Sequence, residues 1–376
     1  MHAALSLRNV RLAALKRILL TTASSTATRG VILGLRAAPE PFHLIGVEAS
    51  QYHILQAQPE VDELHIVPRA DDPRYIEVLA DIAAETRADF IWPLHDAEIE
   101  HVSRATNLPC RTWVPPRDVC LACRDKLATY NRLKAAGVPV PRSMMLNYPA
   151  DIEQAFADLG DAIWIRSRQG AGSRGAYRAD TIDLASSWLN IHDGWGRFMA
   201  AEVMPGPSEL SWECIWSEGQ LIAAQVETRL VRGNTGISLP GVTNRGVLLK
   251  DGPDSVGHVA EQAIRAIMPE PDGMFRVDLI SDSEGMPKVT EVDAGRFGAG
   301  GVAYWHEYGY NWAYEALRIG MGESVDYPVP VLNPCPPDMA SITGFNRMIS
   351  FIHMQDVEAL VVEYHERLNN NTKAAS

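Results

Sequence analysis

The feature that most constrains the fold of this chain is an alternation of short apolar strands with helices near the N-terminus. Four strands are predicted, at residues 17–21, 43–47, 65–68 and 89–93. Helices are predicted between them at residues 30–37 and 73–86. This alternation is typical of a parallel, doubly wound sheet, whose ligands bind beyond the carboxyl ends of the strands. We therefore expect a crevice lined by three of the loops that follow strands, at residues 22–28, 48–51 and 95–98.

A β-hairpin is predicted from residues 274–280 and 287–293, which both alternate between apolar and polar side chains. Turn-forming residues separate the two segments, and a turn centred on residues 284–285 brings apolar side chains opposite each other. The expected cross-strand pairs are Val277 with Val292, Ile280 with Val289, Arg276 with Asp293, and Asp278 with Glu291.

Three carboxylates therefore share one face of this hairpin, because Asp293 lies two residues beyond Glu291 on the same strand. Carboxylates directly opposite each other, as Asp278 and Glu291 are, destabilise a hairpin. Mg²⁺ prefers oxygen ligands and is usually held by one or two carboxylates together with substrate phosphates. Two interpretations stay open from the hairpin alone, a divalent-cation site and a solvated face with another register. Because Arg276 faces Asp293, Asp278 and Glu291 are the stronger metal candidates.

Bulk composition excludes several classes of protein. The chain has 376 residues, enough for roughly two or three domains. Its net charge of −13 argues against nucleic acid as the main partner, and no apolar run is long enough to span a membrane. The five cysteines are an odd number, which favours free thiols in a reducing compartment. We expect a cytoplasmic protein with partners other than nucleic acid or membrane.

Two central segments carry further signals. Asp125 is a plausible N-cap for a helix over residues 126–136, and Gly137 is its expected end. A loop over residues 167–178 combines arginines with glycines, whose backbone amides can approach an anion closely. Its glycines are Gly170, Gly172 and Gly175. The loop lacks the G-K-[ST] of a P-loop, so on its own it is either an anion-binding loop or a mobile surface loop.

Four segments, in this order and spacing, resemble the ATP-grasp superfamily. They are DKLATYNRLKAAGVPVP (125–141), IWIRSRQGAGSRGA (163–176), AEVMPGPSELSWE (201–213) and FRVDLISDSEGMPKVTEVDAGRFG (275–298). The chain looks closest to the carbamoyl-phosphate-synthase-like branch, of the carboxylate–amine ligase type. The resemblance covers roughly residues 17–325.

The resemblance implies a mixed α/β and α+β multidomain protein. Residues 17–120 would form a parallel-sheet pre-ATP-grasp domain, and residues 121–330 a two-subdomain ATP-grasp domain whose small lid subdomain covers about 145–203. Residues 1–16 would be an N-terminal extension. Residues 331–376 would be a C-terminal extension with one helix and a disordered tail.

The resemblance also implies a role for individual residues. Lys126 and Arg166 resemble the basic residues that contact the nucleotide phosphates, and the three loop glycines lie in what resembles the lid over them. Glu202 and Val203 match the hinge that binds adenine, while Glu209 resembles the acid that binds ribose. Asp278, Glu291 and Asp293 match the Mg²⁺ ligands, although the family usually has Asn at the position of Asp293. Arg296 resembles the arginine that handles the transferred phosphoryl group or a substrate carboxylate.

The implied activity is an ATP-driven, ADP-forming ligation that requires Mg²⁺ or Mn²⁺. A small-molecule carboxylate would be activated as an acyl phosphate and then joined to an amine, with Arg296 and Arg166 supplying fixed positive charge. Two alternatives stay open: phosphorylation of a carbamate or bicarbonate, and non-catalytic ATP binding. Relatives are often dimers, so a homodimer is one expected assembly, although no sequence feature requires it.

Other residues are candidate substrate contacts. Arg229 could recognise a substrate carboxylate or phosphate, or it could be a solvated arginine. Trp305, His306 and Tyr308 follow the metal-binding hairpin and could frame an acceptor pocket, but core packing is the expected role for the tryptophan.

Overall fold

The computed structural model describes most of the chain. The described residues are 15–50, 53, 57, 60–170, 175–206, 209–232, 243–249, 254–298, 301–324, 328–343, 349–353, 355 and 362. Within this part of the chain, no helix combines the length and apolar character needed to cross a membrane.

The N-terminal module is a five-stranded parallel sheet with strand order β3-β2-β1-β4-β5. Its strands are β1 (Lys16–Leu20), β2 (Phe42–Glu48), β3 (Glu63–Ile66), β4 (Phe90–Trp92) and β5 (Arg111–Thr112). Helices α1 (Thr26–Arg36), α2 (Tyr75–Glu85), α3 (Asp96–Ser103) and α4 (Arg117–Arg124) accompany them. The apolar run in β1 is completely buried because both faces of the sheet are covered. The prediction of a parallel α/β sheet is confirmed.

A small antiparallel sheet with order β6-β9-β7-β8 follows. Its strands are β6 (Ser143–Leu146), β7 (Ile163–Ser167), β8 (Tyr177–Ala179) and β9 (Phe198–Glu202). The connecting helix α5 (Lys126–Ala135) precedes it, and helices α6 (Pro149–Leu159) and α7 (Ile182–Ile191) pack on it. The Asp125 side chain caps α5 by accepting a hydrogen bond from the Ala128 backbone amide at 3.1 Å, as predicted.

The largest sheet has eight strands. Seven run in the order β14-β13-β10-β11-β12-β16-β17, and β15 pairs with β11. The strands are β10 (Glu209–Ser217), β11 (Gln220–Arg232), β12 (Thr243–Leu249), β13 (Gly273–Ser281), β14 (Pro287–Ala294), β15 (Val331–Leu332), β16 (Met339–Thr343) and β17 (Ile349–His353). Helix α8 (Asp254–Ile267) packs on one face, and α9 (Trp312–Gly320) joins the core shared with the N-terminal module.

The C-terminal region differs from its expected description as an extension. Residues 331–353 contribute three strands to the large sheet, and the sequence analysis predicted none of them. The partners of β15 and β16 are β11 and β12, about a hundred residues earlier, so these pairings cannot be predicted from local patterns. Strand β17 pairs with β16. The predicted C-terminal helix lies almost entirely outside the described residues, as does the N-terminal extension up to residue 14. The domain boundaries stay predictions.

The β13–β14 hairpin follows the predicted register at the end that bears the carboxylates. Val277 pairs with Val292, Asp278 with Glu291, and Arg276 with Asp293. The predicted pairing of Ile280 with Val289 is wrong, since Val289 pairs with Leu279. The cause is a β-bulge after Asp278 that leaves Thr290 as an extra residue.

The bulge has a consequence for the backbone of Thr290. Its carbonyl oxygen accepts hydrogen bonds from the Tyr130 hydroxyl at 3.0 Å and from Arg166 Nη1 at 3.3 Å. A backbone group that leaves the strand ladder is thereby satisfied by two side chains from the preceding elements. The bulge thus helps to hold Arg166 beside the hairpin.

Candidate active site

A cavity of about 680 Å³ lies between the three sheets and gathers most of the predicted site residues. Its lining includes Lys126, Arg166, Gly170, Glu202, Val203, Glu209, Asp278, Glu291, Asp293 and Arg296. These residues come from separate helices, strands and loops, so only the tertiary structure brings them to one surface. We call this space the central cavity.

The loops of the parallel sheet close one side of the central cavity. The loop after β1, the end of β2 and the loop after β4 all reach it, as expected from the carboxyl ends of parallel strands. Glu48 stabilises the loops after β1 and β2, because its carboxylate accepts hydrogen bonds from the backbone amides of Ser24 at 3.1 Å and Ala49 at 2.9 Å. The expected crevice is therefore present.

Lys126 is the first residue of α5, and the Asp125 cap sets its direction. Its Nζ atom donates a hydrogen bond to the Gly170 carbonyl at 2.7 Å and lies 3.0 Å from Oε1 of Glu291. The Lys126 side chain is 5% exposed. A buried ammonium group is thus placed between the glycine loop and the hairpin.

Arg166, near the end of β7, approaches the same carboxylate from the small sheet. Its Nη2 atom lies 3.1 Å from Oε2 of Glu291. Burial favours the neutral carboxyl, but Lys126 and Arg166 outweigh that effect and hold the pKa of Glu291 below its usual value. Glu291 is therefore a carboxylate with a cation at each oxygen.

Asp278 lies opposite Glu291 in a network within the large sheet. It accepts a hydrogen bond from the Ser211 hydroxyl at 3.0 Å and pairs with Arg276 at 3.1 Å and with Arg229. Burial would raise the pKa of Asp278, but Arg229 and Arg276 outweigh it and lower the pKa to about 2. The interpretation of Arg229 as a solvated arginine is wrong, since its side chain is only 16% exposed and pairs with Asp278. Its role in substrate recognition stays a prediction.

Asp293 is held by a different cation from the one expected. The hairpin register places Arg276 opposite Asp293, but the ion pairs of Arg276 are with Asp278 and, at 3.5 Å, with Glu213. Asp293 instead pairs with Arg296 at 3.2 Å. Burial raises the pKa of Asp293 to about 7 although Arg296 favours its charged form. The predicted strand register is confirmed, but the direction of the Arg276 side chain leaves Asp293 with Arg296 as its partner.

Arg296 also binds Asp96, donating from Nε and Nη2 to the two carboxylate oxygens. Asp96 begins α3 in the parallel-sheet module, and it lies in one of the predicted crevice loops. This contact was not predicted, because it joins two modules that are far apart in sequence. The phosphoryl-handling role of Arg296 stays a prediction.

Two of the predicted carboxylate ligands are placed to bind a divalent cation such as Mg²⁺. Asp278 and Glu291 face each other and offer only oxygen atoms, the ligands that Mg²⁺ prefers. No group of three or more His, Cys, Asp or Glu side chains is arranged to hold a metal among the described residues. The site therefore suits a cation held by these two carboxylates and completed by phosphate oxygens.

The predicted hinge residues, Glu202 and Val203, also line the central cavity. The Glu202 carboxylate pairs with Arg142 at 2.7 Å and with Lys288 at 2.9 Å. Val203 follows at the end of β9, and Ile280 and Trp164 line the cavity with it. Glu209, the predicted ribose contact, begins β10 opposite Ile280. This part of the cavity lining thus offers both apolar and polar side chains.

Two of the three predicted lid glycines line a neighbouring cavity of about 740 Å³, namely Gly170 and Gly175. Gly170 also lines the central cavity, whereas Gly172 lies outside the described residues. Gly175 has φ +72°, and a Cβ atom there would lie 2.8 Å from the Phe198 ring. The Trp188 indole donates a hydrogen bond to the Gly175 carbonyl at 2.8 Å, which anchors this end of the loop.

Ser211, which donates a hydrogen bond to Asp278, was not among the predicted site residues, and Trp305 lies in a core. Ser211 alternates with Glu209 and Glu213 along β10, so the polar face of that strand was the available signal. Trp305 packs with Cys335 and Tyr308 in a small core, in line with the packing role expected for the tryptophan.

The sequence matches no protein-family model, and no curated protein matches it. Solved structures do match. The biotin carboxylase domain of 2-oxoglutarate carboxylase from Hydrogenobacter thermophilus superposes with a TM-score of 0.67 at 16% identity, covering 87% of this chain and 73% of that chain. An L-amino acid ligase from Bacillus licheniformis superposes with a TM-score of 0.64 at 16% identity, covering 87% and 78%.

This chain has the ATP-grasp fold. A third match with this fold is N5-carboxyaminoimidazole synthase from Aspergillus clavatus, with a TM-score of 0.65, 13% identity and coverage of 87% of this chain and 81% of that chain. That structure is a complex with ADP and 5-aminoimidazole ribonucleotide, and the biotin carboxylase domain is a dimer in complex with MgADP, ADP and bicarbonate. The resemblance recognised from four sequence segments is therefore confirmed at the level of the ATP-grasp fold.

Proposed function

We propose that this protein is an ATP-dependent, ADP-forming ligase that activates a small-molecule carboxylate as an acyl phosphate and joins it to an amine. The observation that carries the proposal is the central cavity itself. The predicted hinge, the buried cations Lys126 and Arg166, and the facing carboxylates line the same space as the loops of the parallel sheet. ATP would occupy the first three features, and the acid would bind toward the loops.

The chain would orient the nucleotide from its base to its phosphates. The Glu202 carboxylate is engaged by Arg142 and Lys288, so the adenine contact that we propose is with the backbone of Val203. Ile280 and Trp164 would pack on the base, and Glu209 would accept hydrogen bonds from ribose hydroxyls. Lys126 and Arg166 would donate to phosphate oxygens.

Phosphoryl transfer requires positioning and charge neutralisation more than covalent chemistry by the protein. When bound by Asp278 and Glu291, Mg²⁺ or Mn²⁺ supplies positive charge to the phosphate oxygens. Arg296 lines the cavity near the parallel-sheet module and would neutralise the group in transfer. The glycine loop that resembles the family's lid would exclude water from the acyl phosphate; Gly170 and Gly175 belong to it, and residues 171–174 lie outside the described part of the chain.

A phosphate-release screen tests the proposal. The full chain is incubated with ATP and Mg²⁺, amino acids and other small carboxylates, and a panel of amines, with mass detection of products. We expect phosphate release that depends on one acid, together with a product that has lost one water relative to acid plus amine. Glu291→Gln should reduce that release at least about a hundredfold, whereas Glu284→Gln, in the exposed turn of the same hairpin, should not.

Other results would redirect the assignment. Release that depends on bicarbonate without any organic acid would favour the carbamate or bicarbonate alternative. Tight ADP or ATP binding with no turnover across the panel would favour a non-catalytic nucleotide-binding protein. Full activity of Glu291→Gln would contradict the role of the hairpin carboxylates.

The assembly is a separate prediction. A homodimer is expected from the family resemblance, and one matching structure is a dimer. Light scattering on the purified chain measures the mass directly and decides between monomer and dimer.

A further inference from the structure

Glu291 is bound by the two residues that the proposed function assigns to the nucleotide phosphates. Lys126 Nζ lies 3.0 Å from one carboxylate oxygen, and Arg166 Nη2 lies 3.1 Å from the other. The two basic side chains are only 5% and 15% exposed. Solvent therefore screens these ion pairs less than it screens pairs at the surface.

Both cations line the central cavity, so the same N–H donors can reach a phosphate group there. A phosphate oxygen and the Glu291 carboxylate then compete for Lys126 and Arg166. While the cations remain on Glu291, a divalent cation approaching that carboxylate meets two positive charges within a few ångströms. At such distances charge repulsion is large in a partly buried site.

The negative charge of Asp278, across the hairpin, is balanced by a different pair of residues. Its partners Arg229 and Arg276 belong to the large sheet, and Arg276 is also tied to the buried Glu213. Both arginines also line the central cavity, but the proposed function assigns neither of them to the nucleotide phosphates. The exchange of partners that follows from the proposed function therefore concerns Glu291.

We propose that Lys126 and Arg166 mask Glu291 until nucleotide phosphates draw them away, so that a divalent cation binds tightly only together with the nucleotide. The mask is a property of the ion pairs, while the identity of the displacing ligand rests on the proposed function. The order of binding is then set by the protein as well as by the affinity of the metal for ATP.

Mn²⁺ binding to the full chain without nucleotide tests the mask, with free Mn²⁺ measured by electron paramagnetic resonance. We expect weak binding to the unmodified protein and about tenfold tighter binding to Lys126→Met, because one repelling charge is gone. Arg166→Met should show the same direction of change and serves if the first variant fails to fold. Lys134→Met removes a charge from an exposed position on the same helix and should leave Mn²⁺ binding unchanged.

The double variant Lys126→Met/Glu291→Gln should not show the tighter Mn²⁺ binding of Lys126→Met. That result would show that the extra affinity comes from the unmasked carboxylate. Equal Mn²⁺ affinity in the unmodified protein, Lys126→Met and Arg166→Met would overturn the inference. Calorimetric titration of the unmodified protein with a β,γ-imido analogue of ATP separates the two proposals. Failure to bind the analogue would contradict the proposed function, while the Mn²⁺ comparison, made without nucleotide, would still decide the mask.

Discussion

Arg296 and Asp96 form a bidentate ion pair although they are 200 positions apart in the chain. Asp96 begins α3 of the parallel-sheet module, and Arg296 directly follows the β13–β14 hairpin of the large sheet. The same guanidinium also reaches Asp293 at 3.2 Å. One side chain thus links two modules at the wall of the central cavity, and Asp96 fixes the plane in which Arg296 points.

Asp96→Ala should therefore lower turnover by about 10- to 100-fold, because Arg296 loses the partner that orients it. The apparent affinity for ATP should change little, since Asp96 is not among the residues proposed to bind adenine or the phosphates. The measurement is kcat and KM with the acid found in the phosphate-release screen. Asp96→Glu should recover part of the turnover, and Asp71→Ala, at an exposed position of the same module, should be neutral. Equal loss in the alanine and glutamate variants would contradict the positioning role.

Gly175→Ala should destabilise the small sheet by about 2–4 kcal/mol, since the new Cβ combines a left-handed backbone with a clash against Phe198. Gly137→Ala is the matched control, because Gly137 also has positive φ but has open space around its Cβ position. That variant should cost only about 1 kcal/mol. Urea unfolding of both variants separates the clash from the backbone strain. Equal losses in the free energy of unfolding of the two variants would show that the Phe198 ring moves away from the new Cβ atom without destabilising the protein.

Glu98 predicts a pH dependence of stability in the parallel-sheet module. Burial raises the pKa of Glu98 to about 7, with a further contribution from the Glu48 carboxylate, although hydroxyl groups of Thr21 and Thr22 donate to it. Between the unfolded pKa near 4.5 and about pH 7, the folded protein binds more protons than the unfolded chain. The contribution of Glu98 to the free energy of unfolding is therefore fully present below its unfolded pKa and is lost as the pH rises through 7.

Glu98→Gln removes this titration, so the stability of the variant relative to the unmodified protein should rise by about 2–3 kcal/mol between pH 4.5 and pH 8. Chemical unfolding at several pH values measures the difference. Glu85→Gln, at an exposed position of α2, should show no such trend. A constant difference across this range would mean that Glu98 has an ordinary pKa in the folded protein.

The buried pair of Arg276 and Glu213 predicts a non-additive effect on stability. Glu213 is completely buried, and its carboxylate also accepts a hydrogen bond from the Gly298 amide at 3.3 Å. Arg276→Met should destabilise the protein by about 3–5 kcal/mol, because it leaves an uncompensated buried carboxylate. The double variant Arg276→Met/Glu213→Gln should be more stable than Arg276→Met alone. A double-mutant cycle by denaturant unfolding measures the interaction, and simple additivity would refute it.

Local patterns predicted the hairpin well and its side-chain contacts less well. Alternation of apolar residues was sufficient to pair Val277 with Val292 and Asp278 with Glu291. The bulge at Thr290 escaped prediction, because a single extra residue changes neither strand's composition. The partner of Asp293 escaped it for another reason: strand register places Cβ atoms, but long arginine side chains choose among several carboxylates within reach.

The sequence by itself determined the parallel sheet, the capped helix that begins at Lys126, the carboxylate-bearing hairpin and the candidates for the site, since all of these depend on periodicity, capping and turn chemistry within short segments. Only the tertiary structure decided that Lys126 and Arg166 share Glu291, that Arg296 binds Asp96, and that residues 331–353 complete the large sheet. These contacts join segments that are tens to hundreds of residues apart. Their formation depends on how whole elements pack, which no local pattern encodes.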